Sequence, residues 1–149
     1  MVFVKDEATL FDAPLDFVWR YIYGEGHDKV HTTTRKPKFE KISDVTFVYA
    51  SERLLRGKWS ADKQRISMFP PVCAVTEWIE GVLAGSKFVY VYSAHGEATR
   101  VDVYGEFTSP TLGPHEVEST ALKFLEGEYN ADAPAVRAQY LKERAKSPG

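Results

Sequence analysis

The sequence predicts an α+β domain in which a curved antiparallel sheet of about seven strands wraps around a long C-terminal helix. Three observations carry that expectation. Between Lys38 and Pro110, strand-like segments alternate with tight turn sequences. An apolar stripe at three- and four-residue steps begins at Val117. Between the first strand and the meander lie two short helical pieces.

Val2–Leu10 reads as the first strand, with Val2, Val4, Ala8 and Leu10 on one parity and Lys5 and Glu7 on the other. Asp12-Ala13-Pro14 then starts a helix. The Asp12 carboxylate is placed to accept free backbone amides, and Pro14 suits a first turn because it has no amide hydrogen to satisfy. Phe17, Val18, Tyr21 and Ile22 follow at helical spacing, and Gly24 and Gly26 end the helix. A second helical piece over Asp28–Thr33 is closed by Pro37.

The expected meander strands are Lys38–Ile42, Thr46–Leu55, Lys58–Phe69, Val72–Glu80, Lys87–Ala94 and Thr99–Thr108. Their separators (Ser43-Asp44, Arg56-Gly57, Pro70-Pro71, Gly81 through Gly85, His95-Gly96-Glu97) are turn chemistry, and such short links make antiparallel neighbours. In the last strand Val101, Val103, Gly105 and Phe107 share a face. A turn at His95–Ala98 sets Tyr92 opposite Val101 and Tyr90 opposite Val103, so Phe88, Tyr90 and Tyr92 face inward. Both parities of Val72–Glu80 carry apolar residues, which leaves its faces unassigned. Gly113-Pro114 opens the C-terminal helix, with Val117, Ala121, Phe124 or Leu125, and Glu128 or Tyr129 on its stripe. Pro134 breaks or kinks it, and a second piece, Pro134–Lys146, turns Val136, Tyr140 and Leu141 inward. Ser147-Pro148-Gly149 frays.

The 149 residues suffice for one domain, 1–149, with its own core, and 44% hydrophobic against 27% charged residues is a globular balance. No apolar run reaches the roughly 18 residues that cross a bilayer. The acid-bearing N-terminus lacks a secretory core, so a cytoplasmic location is expected. The single cysteine, Cys73, excludes an intrachain disulfide and reads as a small buried hydrophobe. One asparagine and two glutamines point to a thermophilic source. A net charge of −2 argues against nucleic-acid binding, although residues 29–65 hold ten basic and four acidic side chains. That stretch reads as a solvated pair of strands or as an anion-attracting rim.

Two residue sets invite chemistry. His27 and His31 stand four apart, as in the His-Glu-x-x-His zinc helix, with Asp28 in the glutamate's place. The shorter acid reaches a metal-bound water less well, and Gly24 and Gly26 flank the segment. A third ligand would have to come from His95, His115, Glu116 or another carboxylate, so they read as surface or cavity-mouth histidines and no metal is assigned. Arg53 shares its parity with Phe47, Tyr49, Ser51 and Leu55. Inward, it needs a partner, for which Glu77 is the candidate; a bulge near Ser51 would instead turn it to water. No nucleophile elbow, phosphate loop or dinucleotide fingerprint is present, and no cofactor is expected.

Strand, short helix pair, six antiparallel strands, long helix: this order resembles the START-like superfamily, also called the helix-grip or SRPBCC fold. Asp12-Ala13-Pro14-Leu15-Asp16-Phe17-Val18-Trp19 is similar to the stretch opening its first helix, and the hairpin at His95–Thr99 to its penultimate turn. The resemblance, to polyketide cyclase/dehydrase or lipid-transport-like members, implies a cavity between sheet and helix. The residues expected around it are Tyr49, Arg53, Trp59, Glu77, Trp78, Tyr90, Tyr92, Phe107 and Phe124. Three functions are then open: binding of a small hydrophobic ligand, a cyclase or dehydrase using a cavity His, Tyr or Arg, or a protein-interaction module like the chaperone activators. Neither nucleic acid nor membrane insertion is expected.

Overall fold

The computed structural model describes residues 1–24 and 27–146, with Asp28 described by its main chain alone. Gly26 and the tail expected to fray lie outside the described residues. The chain runs β1 (Val2–Phe11), α1 (Leu15–Ile22), a 3-10 turn (His27–Val30), β2 (Thr34–Lys41), β3 (Thr46–Leu55), β4 (Lys58–Phe69), β5 (Cys73–Glu80), β6 (Lys87–His95), β7 (Ala98–Phe107) and α2 (Pro114–Lys146). The strands form one antiparallel sheet in the order β1-β7-β6-β5-β4-β3-β2. Consecutive strands are neighbours from β2 to β7, as short turns require, and β1 closes onto β7. Among the described residues no helix is long and apolar enough to cross a membrane.

The β6–β7 register is the expected one, with Tyr92 opposite Val101 and Tyr90 opposite Val103. One sheet face buries Val4, Phe11, Trp78, Phe88, Tyr92, Val101, Val103 and Phe107, and α2 lays Val117, Ala121, Phe124 and Leu125 against it. The faces of β5 follow: Ala74, Thr76 and Trp78 point inward and Glu77 outward, with Cys73 half-buried on the outer parity. Gly105 lies directly opposite Phe88, whose ring stacks on Phe107 at 5.1 Å between centroids. A Cβ at 105 would meet Phe88 Cβ at 2.3 Å and the Lys87 carbonyl oxygen at 2.8 Å. The glycine is there for room.

Two bulges reshape the sheet edges. In β1 the pairing with β7 skips between Asp6 and Thr9. Ala8 there adopts φ 63° and donates its amide to Asp102 Oδ1 at 2.8 Å. The inserted residue reverses every later face, so Phe11 is buried and Leu10, expected beside Val2 and Val4, is exposed. In β2 the pairing with β3 skips between Arg35 and Lys38, and Lys36 takes φ 55°. This bulge leaves Lys36 and Pro37 without register partners. The strand therefore starts at Thr34 and runs through Pro37, which was expected to stand outside it, rather than spanning Lys38–Ile42.

The helices differ from expectation in three ways. Asp12 makes no capping bond to α1; it pairs with Arg137 of α2. The second short helix is only the 3-10 turn. Third, α2 continues through Pro134 without a break. A mid-helix proline costs about 3 kcal/mol, and contacts on both sides of it oppose that cost. Before it, Tyr129 packs on Phe11 at 5.4 Å and donates its hydroxyl to the Leu10 carbonyl at 2.6 Å. Beyond it, Val136 is fully buried and Tyr140 meets Phe17 at 5.1 Å. Leu141, expected inward, is exposed.

Gly105→Val tests the close approach of β6 and β7. Overpacking at the Phe88 backbone should cost about 2–3 kcal/mol. Urea unfolding should show a lower midpoint at unchanged slope, whereas an unaltered midpoint would show that the strands can part to admit the side chain.

Candidate functional site

Between the inner face of the sheet and α2 lies a cavity of about 630 Å³. Its walls alternate with the strands. Phe47, Tyr49 and Arg53 come from β3, Gln64, Ile66 and Met68 from β4, Phe88, Tyr90 and Tyr92 from β6, Val101 and Val103 from β7. Helix α2 adds Phe124, Leu125, Glu128 and Asp132, and the segment after α1 adds Tyr23, His27 and His31. Phe39 of β2 also lines it and is 55% exposed, which marks that edge as the mouth.

The β3–β4 pairing runs without a bulge, so Arg53 faces inward and is 3% exposed. Its partner is not Glu77, which sits on the outer face opposite Lys87. Two other carboxylates hold it: Asp62 Oδ1 of β4 at 3.1 Å from Nε, and Glu128 Oε1 of α2 at 3.2 Å from Nη1. Asp62 Oδ2 also accepts from Trp78 Nε1 at 2.8 Å. Burial pushes the Asp62 carboxyl above its ordinary value, and the pull of Arg53 and Trp78 only partly offsets this. Burial acts against the Arg53 cation, but the two carboxylates outweigh it and the guanidinium stays charged. The guanidinium also lies 5.3 Å from the ring centroids of both Trp78 and Phe124. Arg53 is thus already neutralised.

Glu128 has a second duty. Its Oε2 stands 3.1 Å from His31 Nδ1. One helical turn on, Asp132 Oδ1 stands 2.9 Å from both His27 Nε2 and His31 Nε2, and the two Nε2 atoms are 3.2 Å apart. Asp132 Oδ1 and His27 Nδ1 are buried and have no aligned hydrogen bond among the described residues. Burial alone would raise the Asp132 carboxyl, yet the two imidazoles hold it below the usual range. For His31 burial works downward, but Asp132 and Glu128 prevail and raise the imidazole. His95 and His115 are exposed and away from this cluster. The other carboxylate is Asp132, which the sequence offers only as a helix cap before Pro134. Spacing could not point to it, because the six strands β2 to β7 and the first half of α2 separate it from the histidines.

A second polar pair lies beside the cluster. Tyr23 and Tyr92 hydroxyls are 2.9 Å apart, and burial pushes both phenols well up, so both remain protonated. Tyr23 was not among the residues expected at the cavity. A tyrosine just past the end of a short helix gives no periodic sign of where it points.

Of the nine residues expected around the cavity, Tyr49, Arg53, Tyr90, Tyr92 and Phe124 line it. Phe107 is core, fully buried beneath Phe88, and Trp78 lies behind Arg53 as the donor to Asp62. Trp59 is on the other side of the sheet, beneath Arg35 at 4.1 Å. Glu77 faces outward. On β5, whose faces the sequence leaves unassigned, Trp78 turns inward and Glu77 outward; on β4 the inward parity is that of Asp62, Gln64 and Ile66, opposite to Trp59.

Arg53→Met would strand Asp62, and it should destabilise the fold by about 3–5 kcal/mol. Arg53→Met with Asp62→Leu should recover much of that loss in chemical denaturation. A double variant no better than the single would refute the pairing.

No protein-family model matches the chain, and the search of curated proteins gives no sequence match. Solved structures do match in shape. The ZhuI aromatase/cyclase from a Streptomyces species superposes with a TM-score of 0.74 at 16% identity, over 95% of this chain and 94% of that one. A protein from Thermus thermophilus gives 0.78 at 17%, covering 93% and 99%. A START superfamily protein from Mycobacterium smegmatis gives 0.69 at 12%, covering 92% and 98%. With the seven-stranded sheet, the helix after β1 and the long α2, these likenesses establish that the chain has the START-like, helix-grip fold.

Proposed function

We propose that the chain binds a small, largely apolar molecule in the cavity between the sheet and α2. The observation that carries this reading is the cavity's size and lining. At about 630 Å³ it falls in the range of small-molecule sites. Aliphatic and aromatic side chains make most of the wall, and polar groups are set among them, notably the Tyr23–Tyr92 pair and the His27, His31 and Asp132 cluster. An apolar body would rest on Phe47, Ile66, Met68, Phe88 and Val103. A carbonyl or hydroxyl would meet the Tyr23–Tyr92 pair. An anionic head gains less than an inward arginine first suggests, because Asp62 and Glu128 already balance Arg53. The START-like neighbours are consistent with this class of ligand.

A second reading is a cyclase- or dehydrase-type enzyme, favoured by the same tyrosine pair. A phenol kept protonated by burial donates to a substrate carbonyl rather than accepting from it, and such a donor promotes enolisation and ring closure. The aromatase/cyclases with this fold make a polyketide the substrate class to try. The protein-interaction reading called for a closed cavity, and the exposed rim at Phe39 speaks against it.

Native mass spectrometry and solvent extraction of the purified chain should recover one bound molecule, and the neutral dye Nile red should compete for its place. Ile66→Trp, which fills the void, should weaken dye binding at least tenfold, about 1.4 kcal/mol, with the circular dichroism spectrum intact. Equal affinity in parent and variant would put the dye elsewhere and end the binding proposal. Tyr92→Phe separates the two readings: it should keep dye binding and, for an enzyme, lose turnover of a polyketide substrate.

A further inference from the structure

Polar groups crowd together where α2 meets the segment after α1. His27 and His31 bring their Nε2 atoms to 3.2 Å in a hydrogen bond, and Asp132 Oδ1 lies 2.9 Å from both. Asp132 is buried and Glu128, one turn earlier, is partly buried. Three donor atoms so close together in a protein interior need shared partners. One divalent cation among them would satisfy all three at once.

The geometry fits such an ion. Three donors on a tetrahedral zinc, with bonds of about 2.0–2.2 Å, lie about 3.3 Å from one another. Here the edges of the triangle are 2.9, 2.9 and 3.2 Å. Opening it by a few tenths of an ångström suffices. The three atoms are also mutual neighbours: Asp132 Oδ1 lies 2.9 Å from each Nε2, and the two Nε2 atoms face each other. The cluster His27, His31 and Asp132 brings its ligand atoms within 4.8 Å of one another. Behind it, the Glu128 carboxylate stands 3.1 Å from His31 Nδ1, where it would favour a proton on that nitrogen and so turn the Nε2 lone pair to a metal, the usual support of a metal-bound imidazole.

We propose that His27 Nε2, His31 Nε2 and Asp132 Oδ1 form a binding site for one divalent transition-metal ion, with Glu128 as the positioning residue for His31. Two imidazoles and a carboxylate suit zinc or ferrous iron. All three side chains line the cavity, so the remaining coordination positions face it. An oxygen of a bound molecule can complete the shell there, but the metal site stands whether or not the cavity takes an organic ligand.

The test uses the full chain, stripped with a chelator and free of any added organic ligand. Zn(II) titrated by calorimetry should bind at one ion per chain. His31→Ala and Asp132→Asn should each weaken it by at least about a hundredfold, and Glu128→Gln by about ten- to a hundredfold. Replacing the exposed His95 and His115 by Ala together should change nothing. Co(II) on the unsubstituted chain guards against misfolded variants: intense visible ligand-field bands of a four- or five-coordinate ion are expected. A chain that takes up no stoichiometric Zn(II), a Co(II) spectrum like that of the hydrated ion, or binding lost with His95 and His115 would each overturn the site. Nile red binding, measured separately, keeps this outcome distinct from that of the cavity proposal.

Discussion

The structure depends on a line of buried charge that ties the sheet to the helix. Trp78 donates to Asp62, Asp62 holds Arg53, Arg53 holds Glu128, and Glu128 reaches His31, which stands over Asp132 with His27. Hydrophobic contact sets how near α2 comes to the sheet, but apolar packing is indifferent to small rotations of a helix. Directed ionic contacts are not. Glu128 and Asp132 lie four residues apart on one face of α2. Fixing Glu128 between β3 and the histidine segment therefore fixes which face of the helix the cavity sees.

That constraint explains why the interior is hollow. Phe124 and Leu125 fill the sheet near β5 and β7, where Trp78, Phe88 and Phe107 provide a dense aromatic floor. Further along α2 the side chains facing the sheet become Glu128 and Asp132. Charged groups with fixed partners cannot spread to fill volume as leucines would. The space between them and Ile66, Met68 and Val103 stays open, so acids from the helix and apolar strand residues share one cavity.

The strand meander was legible because alternation and turn chemistry act locally. β3 and β4 carry the expected bounds, and the β6–β7 register followed from one turn. Local rules failed where a single residue changed the phase. The bulge at Ala8 reversed Leu10 and Phe11, and the one at Lys36 carried β2 across a proline. Pro134 gave the opposite error: a strong local penalty was outweighed by packing on either side that only the folded chain brings together. At the candidate site the inward arginine and the tyrosines could be suspected from parity. Its acids could not, because Asp62, Glu128 and Asp132 reach Arg53, His27 and His31 from distant parts of the chain or from another element. A carboxylate has no periodic signature that distinguishes a buried partner from a solvated one.

The bulged β2 edge has a consequence for the molecule in solution. A strand with free backbone groups beside exposed Phe39 and Ile42 is an invitation for another chain to zip on. Pro37 offers no amide to such a visitor, the bulge at Lys36 spoils its alignment, and Lys38 sets a charged side chain on the same edge. The greasy doorway thus opens beside a strand whose own residues discourage a visiting backbone.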